Sequence, residues 1–177
     1  GISIMSELRT NRIVPRDGLA SGASGGIIQV KSTTKTDGDF STSSTSYTDV
    51  TGLSVSITPT RSDSKILIFV SIHAVGNSQT QAYFRFMRDS TPICVGDAAG
   101  TRVQASLGSM YIDQQNDVNC ASQNFLDSPS TTNTVTYKIQ CRNQGVGTIL
   151  VNRSDTDAAD TTSGRFPSTI TVMEVSG

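Results

Sequence analysis

The sequence has no tryptophan, one histidine and three cysteines, and only 16% of its 177 residues are charged. Each scarcity removes a class of function. Without Trp there is no sugar platform built on indole rings, which leaves Tyr47, Tyr83 and Tyr111 as candidates for a shallow site. One histidine, His73, cannot supply a triad or a histidine-based metal centre, so it reads as a structural residue in a strand. Cys94, Cys120 and Cys141 are odd in number and match no zinc or redox spacing. They read as small free residues of a protein assembled in a reducing cytoplasm, with Cys141 in phase with an apolar strand face.

Charge of either sign is also in short supply. Fourteen Lys and Arg stand against fifteen Asp and Glu, so there is no basic excess to hold nucleic acid. The longest apolar run, ILIFV, is far short of the roughly 20 residues of a membrane span, and no membrane insertion is expected. The N-terminus has no basic-then-apolar block of a signal peptide, and Met5, followed by SELRTN, reads like a natural start. No pattern supports a helix of ten residues or more.

Known chemical motifs are missing too. GLASGASGG (18–26) is glycine-rich but lacks the Gly-Lys-Ser/Thr ending of a phosphate loop. DTDAAD (155–160) gathers three carboxylates without the glycine turn and closing glutamate of a calcium loop. The sequon at Asn152 has no meaning without secretion. Catalysis needs tuned titratable groups held close together, and no such set is present. The sequence therefore predicts no enzyme, no catalytic residue, no cofactor and no metal.

What fills the sequence is hydroxyl and β-branched residues. Ser and Thr make up over a quarter of it, and Thr, Val and Ile suit a pleated, half-buried surface. LSVSI (53–57) alternates cleanly, as a half-buried strand does. KILIFVSIHAV (65–75) is apolar on both faces, with Ile66, Ile68, Val70 and Ile72 on one and Leu67, Phe69 and Val75 on the other. A strand apolar on both faces is central, and its second face must be covered. Further strands are read at IIQVKSTTKT, QAYFRFMRD, TPICVG, TRVQASLGSMYID, NCASQNFLD, VTYKIQC, GTILVNR and STITVMEV. About ten short strands separated by DGD, GNS, RDSTP, GDAAG, DSPS and NQGVG imply an all-β sandwich of antiparallel strands. A sandwich buries one face of each sheet, and no helix is available to cover Leu67, Phe69 and Val75. Those three residues are therefore expected to form a subunit interface about a symmetry axis.

Residues 1–26 follow neither period, being broken by Pro15 and by glycines. They are read as an extended N-terminal arm ahead of a domain at 27–177. At about 3.3 Å per residue the arm reaches tens of ångströms. Leu8, Ile13 and Val14 would anchor it in pockets, and Arg9, Arg12 and Arg16 would pair with acidic rims. The alternative, an arm that wraps its own assembly, is left open. Loops at 76–80, 96–102, 113–119 and 153–165 are the candidates for contact with a partner.

Two resemblances add to this. SYTDVTGLSVSITP, SKILIFVSI, AYFRFMRDSTPI, NFLDSPSTTNTVTYKIQ, GTILVNR and STITVMEV resemble, in order and texture, the C1q/TNF-like jelly roll. That likeness implies a compact homotrimer with the central and C-terminal strands near the three-fold axis. MSELRTNRIVPRDG and GGIIQV, with the whole chain after them, resemble small virion proteins of marine tailed phages, including cyanophages. This second likeness implies a virion structural protein assembled in the host cytoplasm. Its first reading is a tail-fibre or receptor-binding head for a host surface glycan or receptor, held to other virion proteins by the arm. The alternative is a capsid decoration or connecting protein that staples neighbouring subunits.

Overall fold

In a computed structural model of the chain, residues 26–112 and 116–177 are described. The arm residues Leu8, Arg9, Arg12, Ile13, Val14 and Arg16 lie outside them. Among the described residues there are eleven strands and no helix: β1 (Ile27–Lys35), β2 (Ser41–Thr42), β3 (Thr48–Ile57), β4 (Lys65–Gly76), β5 (Thr80–Arg88), β6 (Thr91–Ile93), β7 (Leu107–Ile112), β8 (Asn119–Asp127), β9 (Val135–Asn143), β10 (Ile149–Val151) and β11 (Ser168–Val175).

The strands form two antiparallel sheets, each four strands wide. In the first, β8 runs along one edge of β4, while β11 takes the lower half of the other edge and β10 the upper end. β1 then pairs with β11, and β2 with β10. In the second, β9 lies between β3 and β5, and the far edge of β5 is shared by β6 and β7. Two four-strand layers joined by short connections that pass repeatedly from one sheet to the other make a jelly-roll sandwich. The two-residue β2 was not legible in the sequence, and TRVQASLGSMYID and GTILVNR are strands over only part of their length.

Alternation places the core. β9 and β11 alternate buried and half-buried residues throughout. Their inward side chains, with Ile66, Ile68 and Ile72 of β4 and Phe84 and Phe86 of β5, fill one continuous interior. β3 is interrupted by a register shift between Asp49 and Ser54. Gly52 sits there at φ +80°, a conformation that a β-branched residue resists. Where the β9–β10 and β4–β5 turns meet, a Cβ on Gly145 would stand 2.0 Å from the Gln79 carbonyl oxygen. The β9–β10 turn therefore packs against the β4–β5 turn with no room for a side chain.

The registers also define the two ends. Residue 26, the start of β1 and the end of β11 share the lower end with the 58–64, 89–90 and 128–134 connections. The 43–47, 77–79, 116–118 and 144–148 segments lie at the upper end.

A buried carboxylate closes the lower end. Glu174 is fully buried and accepts hydrogen bonds from Gln29 Nε2 at 2.6 Å and from Thr60 N and Oγ1 at 2.7 Å each. Burial by itself would raise its pKa. The donors outweigh burial and hold it at about 2, against an ordinary value of 4.5. A depressed carboxylate stabilises the fold above its unfolded pKa, and the contribution fades as pH falls from about 4.5 towards 2. Glu174→Gln is expected to cost about 2 kcal/mol at pH 7 and much less at pH 2. Denaturant midpoints at the two pH values measure this, and an equal loss at both would contradict it.

Candidate functional site

Among the described residues no group of three or more His, Cys, Asp or Glu side chains could hold a metal ion. His73 Nδ1 is 2.8 Å from the Pro167 carbonyl oxygen, and its ring stacks on Phe166 at 5.5 Å. Both contacts are structural, as the sequence reading expected. Cys141 lies in the core, where burial pushes its thiol pKa up. The three cysteines are free.

Two of the three carboxylates in the acidic loop are held from within it. Asp157 is 2.7 Å from Arg165 Nη2 and 3.7 Å from Arg153 Nη1. Asp160 accepts from Thr162 N and Oγ1 and from Ser163 N. Asn152, the sequon asparagine, is fully buried. It donates to the Lys35 and Asp37 carbonyls and accepts from Ser168 Oγ.

Function therefore has to be sought on the outer faces of the two sheets. On the first sheet, register pairs Val30 with Met173, Met173 with Leu67 and Leu67 with Leu126. Opposed residues point to the same side of a sheet, so these four form one apolar row across all four strands. Phe69 stands in the next row, between Thr171 and Asn124. Ile27 and Ile28 extend the band at the lower end, next to residue 26. Val30, Phe69 and Leu126 are 51%, 42% and 51% exposed. A shallow hollow of about 200 Å³ lies beside Phe69, lined by Val70, Ser122, Gln123 and Asn124. Isolated exposed apolar residues need no explanation, but a contiguous band does.

The outer face of β4 thus splits in two. Leu67 and Phe69 belong to the open band. Val75 does not: it is fully buried, packed with Leu150 and covered by Val118. Its inclusion with Leu67 and Phe69 as an interface residue is corrected, because the segment before β8 folds over the upper part of this face. Alternation gives the side of a strand but not what a distant loop does to it. The sequence reading also missed Val30, Leu126 and Met173, whose apolar side chains were legible but whose alignment with Leu67 depends on register.

The outer face of the second sheet is polar. Arg85 stacks on the Tyr47 ring at 3.9 Å, and Arg142 stands 5.8 Å from the same ring. Arg85 Nε donates to Gln140 Oε1 at 2.9 Å, and Asp49 accepts from Lys138 Nζ and Gln140 Nε2 at 2.6 Å each. Tyr47 Oη donates to the Gln104 carbonyl at 2.7 Å. Burial raises the Tyr47 pKa against the pull of both arginines, so the phenol stays neutral. Of the candidate loops, 76–80 is locked to 144–148 by Asn77 and Thr148, and residues 113–115 lie outside the described part.

No protein-family model matches the chain, and no curated protein matches it. Among solved structures it is similar to a chain of infectious bursal disease virus, Gx strain, at a TM-score of 0.45 and 13% identity. The match covers 84% of this chain and 37% of that one, so this chain spans well under half the length of its structural neighbour.

Proposed function

We propose that this chain is a virion structural protein, in the first instance a homotrimeric attachment head of a phage tail fibre. The observation that carries the reading is the apolar row of Val30, Met173, Leu67 and Leu126 with Phe69 beside it. It lies on a face that no other described part of the chain covers. Three copies of the chain about a closed three-fold axis would bring their apolar bands together at the axis and bury them without leaving an open face. The hollow beside Phe69 accepts a side chain from the neighbouring copy.

The polarity of the sandwich supports attachment. Residue 26 enters at the lower end, beside the apolar band, and the 43–47, 77–79, 116–118 and 144–148 segments crowd the upper end. An arm at 1–26, using Leu8, Ile13 and Val14 with Arg9, Arg12 and Arg16, would tether the lower end to other virion proteins. The upper end then points away from the particle. A capsid decoration protein would use the same fold and arm but would need no distinctive surface away from its contacts.

Gold-labelled antibody raised against residues 27–177, viewed on intact virions, separates the two. Clusters on the tail or its fibres are the expected result. Label spread over the capsid shell would overturn the attachment reading in favour of decoration.

A further inference from the structure

The upper half of the second sheet's outer face is an unusual collection for this chain. The protein has four tyrosines. Tyr137 is in the core, and the other three gather on or beside this one face. Tyr83 pairs with Arg142 across β5 and β9, and Arg85 pairs with Gln140. Tyr111 pairs with Gln81 on β7 and is 60% exposed. Tyr47, just before β3, lies under the Arg85 and Arg142 guanidiniums.

Charge on this face is uneven. Among the described residues, neither Arg85 nor Arg142 makes an ion pair. Asp49, the nearby carboxylate, is held by Lys138 and Gln140. Arg142 Nε is buried without a hydrogen-bond partner, and its Nη2 donates to Gln144. Two guanidiniums therefore stand together on a chain of net charge −1.

We infer that Tyr47, Tyr83, Tyr111, Arg85 and Arg142 form a binding site for an acidic glycan, one bearing carboxylate or sulfate groups. Guanidinium forks match such anions in bidentate geometry. The exposed Tyr111 ring, with Tyr83 beside it, offers a flat apolar face to the C–H side of a sugar with a hydroxyl at the rim, while Tyr47 holds the two guanidiniums in place from beneath. Tyr and Arg are common at protein interfaces too, but Met87, the face's one sizeable aliphatic side chain among the described residues, is already covered, which leaves a polar, cationic surface better suited to an anionic carbohydrate. The face is also on the opposite layer from the apolar band, so it stays open when copies assemble through that band, and several sites displayed together multiply a weak affinity.

The site takes its purpose from the attachment reading, but its test does not depend on it. Binding of the full chain to oligogalacturonate and to sulfated galactan oligosaccharides is measured by calorimetry, with dextran oligosaccharides as the neutral control. Both acidic probes should bind in preference to dextran, and more weakly as salt is raised. Arg85→Gln with Arg142→Gln should weaken binding at least tenfold with the circular dichroism spectrum unchanged. Tyr111→Ser, at an exposed edge position, should weaken it about threefold without disturbing the arginines. Equal binding of dextran, wild-type affinity in the double variant, or failure of both acidic probes would overturn the assignment. The last outcome would leave this face to a protein partner. None of these results bears on where gold label falls on the virion, so failure of the glycan site and failure of the attachment reading are separately visible.

Discussion

Replacing Leu67 and Phe69 together with aspartate is expected to convert an assembled protein into a folded monomer of 18.7 kDa. Both side chains stand on the open band, Phe69 42% exposed, so the isolated sandwich loses little. Asp is a poor strand former, and the two substitutions together should cost the monomer about 2 kcal/mol, which a domain of this size tolerates. Assembly loses far more. Each interface forfeits burial of the part of Leu67 and Phe69 still exposed in the monomer, about 1 kcal/mol apiece, and would have to desolvate two carboxylates without partners, at several kcal/mol more. That is at least a thousandfold in the association constant of each contact. Sedimentation at micromolar concentration should give a trimer for the wild type and a monomer for the variant, with matching circular dichroism. A wild-type monomer under these conditions would end the trimer reading. Val75→Ala is the internal control. Val75 lies under Val118 and Leu150, so its truncation should lower stability and leave the assembly state unchanged.

The second large effect is expected at the lower end of the sandwich, where the two sheets are tied by a buried charge. Asp127 on β8 is 5% exposed. It receives Arg88 Nη1 from β5 at 2.9 and 3.0 Å and Tyr137 Oη from β9 at 2.7 Å. Burial, reinforced by the neighbouring Asp127 carboxylate, raises the Tyr137 pKa, so the phenol remains a donor at any ordinary pH. Asp127→Ala leaves a partly buried guanidinium without its counter-charge and a buried hydroxyl without an acceptor. The expected loss is about 3–4 kcal/mol, or roughly 10 °C in Tm for a chain of this size. Asp127→Asn keeps an acceptor for Tyr137 and should lose about half as much. Replacing Asp127 and Arg88 together by Leu and Met should recover much of the loss, because the pair repays its own desolvation rather than adding net stability. Thermal unfolding monitored by calorimetry reads all three. A loss below 1 kcal/mol for Asp127→Ala would show that this buried pair does not tie the two sheets together.

Asp127 also marks where the sequence stops being informative. It closes NFLD, which reads from sequence as a strand end before the DSPS turn. Nothing local reveals that its carboxylate is buried against residues 39 positions earlier and 10 positions later. Glu174 is similar: it stands at an inward position of STITVMEV, where alternation predicts an apolar residue. Its tolerance depends on Thr60 and Gln29, which only the chain's return path brings within hydrogen-bond reach.

The sequence by itself determined the class of fold and most of its strands. Period-2 alternation, β-branched content and turn residues are local properties, and β3, β4, β5, β8, β9 and β11 could be read from them. It also determined that β4 is central, because a run apolar on both faces has nowhere else to sit. Only the tertiary structure decided what became of the second face. Leu67 and Phe69 stay open while Val75, on the same side of the same strand, is covered, because a loop more than forty residues away folds over the upper part of β4. Register aligned Val30, Met173, Leu67 and Leu126 into one band. Register and layering likewise gathered Tyr47, Tyr83, Arg85, Tyr111 and Arg142 on a single face. Such placements depend on which strands pair and how far each is shifted. Those are long-range choices made by burying the whole core at once, and no window of sequence contains them.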